Sequence, residues 1–136
     1  MSRTITFTHD YDWHNQPGGA AHNRRPYSEV VIFDQPISLQ LSVFAIVDTG
    51  ADWLQLPEEA LYQLGYTSSG STPVLDASMC NVPFNIYNGV EVEIEGQSVT
   101  LDHVLARPGV PALLGRAAFF TVFEPGFDRT GWLYRF

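Results

Sequence analysis

The chain contains no lysine, and seven arginines stand alone against fifteen acidic residues. A net charge of -8 repels the phosphate backbone of a nucleic acid and the surface of an anionic bilayer, so neither is expected as a partner. Cys80 is the single cysteine. It excludes a disulfide framework within one chain and fits a reducing compartment. No apolar run approaches the ~20 residues of a membrane span. The opening MSRTITFTHDYDWHN lacks the apolar core of a secretory signal. These absences together point to a cytoplasmic protein.

What is present suits one folded domain. The 136 residues are 45% apolar and only 16% charged, and a chain of this length buries about two-thirds of its unfolded surface. Residues 1–26 stand apart. They carry three of the four histidines, three of the seven arginines and the segment PGGAAHN. They read as a flexible N-terminal arm with one strand at Thr4–Thr8, ahead of a domain over residues 27–136. Val30–Phe33 is a short apolar run. Ile37, Leu39, Leu41 and Val43 alternate with polar residues, the period of a half-buried strand. Phe44–Val47 is apolar throughout, which predicts a strand covered on both faces. PEEALYQLG combines Pro57, two glutamates and a closing Gly65, the signals of a short helix. Val90, Val92 and Ile94 alternate with Glu91, Glu93 and Glu95; EGQ turns the chain back through Val99 and Leu101, predicting a hairpin. ALLGRAAFF reads as a strand end entering a short helix, and TVFEPGFDRTGWLYRF as two strands around a turn. The expected class is all-β with one or two short helices.

One stretch asks for an explanation. Ala45–Pro57 reads AIVDTGADWLQLP, an apolar strand that delivers a carboxylate and turns at once. A lone buried carboxylate is strongly disfavoured, so Asp48 needs a partner or a task. Taken alone, Asp48, Thr49 and Gly50 also fit a plain turn. Far downstream the chain reads Leu113-Leu114-Gly115-Arg116. The strand into DTGAD, this LLGR and the β-rich pattern between them resemble the retropepsins, the single-domain aspartic proteases, over about residues 28–136. The resemblance implies a closed, barrel-like fold and an aspartic endopeptidase that acts as a symmetric homodimer with no metal or organic cofactor. Only one DTG is present and no DSG, so each of two subunits would give its Asp48 to a dyad that activates water. Two like charges about 3 Å apart share one proton and titrate as a unit; aspartic proteases are the standard illustration of that principle.

The same resemblance assigns further roles. Gly50 permits the tight turn, and Thr49 hydrogen-bonds across the dimer axis. Ala51 and Asp52 line the substrate cleft, and Arg116, after Gly115, is expected to pair with Asp52 through its planar fork. Arg116 alone also fits an exposed arginine at a helix start. The stretch VLDASMCNVPFNIY stands where the family has its glycine-rich flap and has no glycine. A tip near 77–81 would put Met79 and Cys80 over substrate, although both also suit a packed core. The C-terminal strand either builds a dimer sheet or folds back within its own subunit. The partners expected are a second copy and a peptide or protein substrate. The alternative is an inactive domain of the same fold that binds peptides or assembles.

Other groups have blander readings. His9, Asp10, Asp12 and His14 carry donors suited to zinc or copper, but nothing completes a site, and a solvated arm is the simpler reading. His103 is expected at a strand edge, and Glu91, Glu93 and Glu95 on a solvated sheet face. Trp53, Trp132 and Tyr134 read as core or interface.

Overall fold

A computed structural model describes residues 3–75 and 78–136. In chain order the elements begin with β1 (His9–Asp12), a 3-10 turn (Trp13–Asn15), α1 (Ala20–Asn23), β2 (Tyr27–Phe33) and β3 (Gln40–Val47). Next come β4 (Leu54–Pro57), α2 (Glu58–Gln63), β5 (Gly70–Leu75), β6 (Asn81–Tyr87), β7 (Val90–Ile94) and β8 (Gln97–Leu101). The chain closes with β9 (Val104–Arg107), β10 (Leu113–Leu114), α3 (Arg116–Phe119), β11 (Glu124–Phe127) and β12 (Gly131–Arg135). The class is all-β. Nine strands form one curled sheet in the order β5-β6-β9-β4-β10-β3-β2-β7-β8, and β1-β12-β11 form a second. No helix among the described residues is long and apolar enough to cross a membrane.

Local chemistry explains the elements. α2 ends in a Schellman arrangement: Gly65 takes φ +81°, its N–H donates to Tyr62 O, and Tyr66 N–H donates to Leu61 O. Only glycine adopts that φ without cost. β7 and β8 are joined by two residues, Glu95 and Gly96, both with positive φ. That is the turn whose twist matches a tight hairpin. Val30 and Ile32 of β2, Val90, Val92 and Ile94 of β7, and Leu54 and Leu56 of β4 are all but fully buried. They form one core with Trp132, Tyr134, Phe119 and Phe123.

Three expectations need correction. The predicted alternating strand from Ile37 begins only at Gln40, because Asp34 closes a turn first. Its carboxylate accepts from the Ser38 and Leu39 amides at 2.8 and 3.1 Å, and Ile37 sits at φ +58° with its side chain exposed. Phe44 is not covered on both faces; Ala45 and Val47 point inward and Phe44 outward.

The third concerns residues 1–26. Thr4–Thr8 carries no strand; the strand is β1, antiparallel to β12 with His9 opposite Tyr134. Trp13 and Ala20 are buried. Gln16, also buried, accepts from the Tyr27 amide at 2.8 Å. From β1 onward this segment is packed into the domain rather than projecting from it. The C-terminal strand β12 correspondingly folds back in its own chain, between β1 and β11.

A candidate active-site cleft around Asp48

Asp48 follows the last residue of β3. Leu113 and Leu114 of β10 run parallel to β3, opposite Ile46 and Val47, and Leu113 also pairs with Gln55 of β4. The short β10 is thus wedged between the strands on either side of the DTGAD loop. The Asp48 N–H donates to Leu114 O at 3.0 Å, which fixes the backbone at that residue. Asp48 Oδ1 accepts from the Gly50 N–H at 2.9 Å, and the Ala51 N–H donates to Asp48 O at 3.2 Å. Asp48 is half-buried, while Thr49 and Gly50 are exposed.

The second half of the loop is tied to LLGR. Arg116 N–H donates to Ala51 O at 3.0 Å and Ala117 N–H to Asp52 O at 2.9 Å. The Arg116 guanidinium pairs with the Asp52 carboxylate, the ion pair expected from the sequence. Both side chains are well exposed, so the pair orients more than it stabilises. Gly115 is required by closeness rather than by φ. A Cβ there would lie 2.6 Å from Trp53 N and 2.8 Å from its carbonyl carbon.

A cleft of about 870 Å³ opens above this loop. Asp48, Gly50, Ala51 and Asp52 line its floor, and Thr72, Pro73, Val74 and Leu75 of β5 form a wall. β5 and β6 pair antiparallel from Gly70 opposite Ile86 to Leu75 opposite Asn81, so the glycine-free stretch does make a hairpin. Part of the tip foreseen near 77–81 lies outside the described residues. Met79 and Cys80 are exposed and are not among the described residues that line the cleft.

Sequence reasoning missed the two rings of the cleft, along with the residues of its wall. Trp53 is 39% exposed and lies against His103 in a tilted contact, with ring centroids 4.2 Å apart. Both line the cleft, whereas Trp132 and Tyr134 are core as expected. The signal for Trp53 was its place directly after DTGAD. For His103 there was none, since β9 reaches the loop only through parallel pairing with β4, Leu54 opposite Val104.

Elsewhere, Glu95 is not simply solvated. Its carboxylate accepts from the hydroxyls of Tyr11 at 2.7 Å, Ser28 at 2.7 Å and Tyr134 at 2.8 Å. Glu91 does stay on the exposed side, accepting from Thr100. No group of three or more His, Cys, Asp or Glu among the described residues is arranged to hold a metal. Within HDYDWH, Asp12 accepts from the His14 amide and His9 stacks on Tyr134. The chain matches no family model and no curated protein.

Proposed function

We propose that this chain is one half of an aspartic endopeptidase, in which Asp48 from each of two subunits activates a water for attack on a peptide carbonyl. One observation carries the reading. A half-buried carboxylate stands at the end of β3 on the floor of a large cleft, on a loop pinned from behind by LLGR. Hydrolysis needs a base for the water and an acid for the carbonyl oxygen, and two aspartates sharing a proton supply both. Asp48 has no second carboxylate from its own DTG or DSG to work with, so the reading requires a symmetric mate. Exposure of Thr49 and Gly50 beside it leaves that edge open to one. A substrate would lie extended between the loop and the β5–β6 hairpin, held by main-chain hydrogen bonds.

The test is cleavage of a peptide library between about pH 4 and 7, with the native chain and Asp48→Asn side by side. Cleavage by the native chain alone is expected. Equal cleavage by both removes Asp48 from the mechanism. A second reading, a peptide-binding domain without hydrolysis, is favoured by the hairpin: Met79 is 75% exposed and outside the cleft lining, and no glycine gives the tip freedom. Binding of library peptides without any cleavage would select it.

A further inference from the structure

The dyad chemistry leaves unused the pair of rings in the cleft wall. Trp53 and His103 lie 4.2 Å apart between centroids with planes inclined at 43°. The Trp53 backbone is close-packed against Gly115, which holds the residue at the loop. A large ring held partly in water leaves apolar surface exposed beyond its contact with His103, and burying that surface against a ligand is favourable. The same cleft also presents the aliphatic side chains of Val74, Leu75, Leu105 and Leu113 beside the polar Gln55 and Thr72. Among the described residues no arginine lines the cleft, and the carboxylates that do are those of Asp48 and Asp52.

We propose that Trp53 and His103 form a subsite that takes an aromatic side chain from an extended, non-acidic peptide. The proposal rests on reading the cleft as a peptide site, but not on its catalysing hydrolysis. Three side-chain classes compete for such a place. An acidic one would meet Asp48 and Asp52 with no cation in the lining, and like charges repel. A cationic one could lie on the Trp53 face. Yet Asp52 is already engaged by Arg116, so a cation would depend on Asp48 as its partner, and without that carboxylate its burial is costly. An aromatic ring extends the Trp53–His103 pair by offset or edge contact and needs no counter-ion.

Binding to Asp48→Asn protein separates this from turnover. Capped peptides in which each position in turn is Phe, Leu, Arg or Glu are titrated by calorimetry. At one position Phe is expected to bind about tenfold tighter than Leu, with Arg weaker than Phe and Glu weakest. Trp53→Ala and His103→Ala should each bring the Phe-to-Leu affinity ratio down to about one, whatever they do to binding overall, and His103→Phe should keep the ratio high. Stronger binding of Arg or Glu, or a Phe preference that survives both alanine variants, overturns the subsite. So does the absence of binding by any peptide. A Phe preference that behaves as described, in a protein whose native form cleaves nothing, upholds the subsite and removes the dyad.

Discussion

Gly115 shows how much one atom decides at the loop. Its φ is -82°, a value any residue adopts, so conformational freedom is not its reason. The reason is the Trp53 backbone, which a Cβ would meet at 2.6 Å from N. Gly115→Ala must therefore move the DTGAD loop or the start of α3. Overpacking of this kind costs about 1–3 kcal/mol, to be read from urea unfolding. If the cleft hydrolyses peptides, a displaced Asp48 lowers the rate by up to ~100-fold, more than the stability loss alone predicts at saturating folded protein. Single residues also explain where sequence reading went astray. Ile37 and Leu39 have the right period for a strand but lie in and just after the turn that Asp34 closes through its side chain. A carboxylate that caps a turn and a carboxylate before a strand look the same in sequence.

Among the elements, the β7–β8 hairpin was legible because alternation and a two-residue turn point the same way, and α2 because Pro57, its glutamates and Gly65 agree. β1 was not legible. HDYD has no apolar period, and its partner β12 lies over a hundred residues away. What fastens β1 is chemistry on a third element. Glu95 occupies a turn position at φ 49° where asparagine or glycine would be more comfortable. Its carboxylate gathers hydroxyls from Tyr11 on β1, Ser28 on β2 and Tyr134 on β12. Glu95→Asn relaxes the turn but is too short to reach all three. The expected result is a net loss of about 1–3 kcal/mol and faster hydrogen exchange in β1 than in β2. A gain in stability would mean the three hydroxyls matter less than the turn. The same cluster sets an alkaline limit. Burial, then the Glu95 carboxylate, pushes the Tyr11 phenol up to about 12, and the same causes raise Tyr134 further. The folded chain thus holds these protons more tightly than the unfolded chain. Their contribution is complete below the unfolded value of about 10 and is lost as pH rises through the folded one. Melting temperature should fall above about pH 10, and less steeply in the Tyr11→Phe, Tyr134→Phe double variant.

For the whole molecule, the catalytic reading turns on stoichiometry. The tight turn at DTGAD was legible in its residues, whereas its tie to LLGR through Asp52 and Arg116 was expected only from the resemblance. The ring pair was not legible, because it depends on β9 lying beside β4. Neither fact decides whether a carboxylate finds a mate. β12 is already paired on both sides within its own chain, so a dimer of this molecule cannot use that strand as a shared sheet and must form elsewhere. The exposed Thr49–Gly50 edge is the surface that would bring two Asp48 residues together about a two-fold axis. Mixing distinguishes this from a monomeric site. When native and Asp48→Asn chains pair at random in equal amounts, about half of the native chains are paired with a mate lacking the carboxylate. Cleavage per native chain should then fall to about half, and further as the variant is added in excess, provided both chains are well above the dimer dissociation constant. A monomeric enzyme would keep its full rate at every ratio. Sedimentation of the same mixtures supplies the complementary reading: a dimer whose activity ignores the variant would put the two Asp48 side chains in separate, self-sufficient sites.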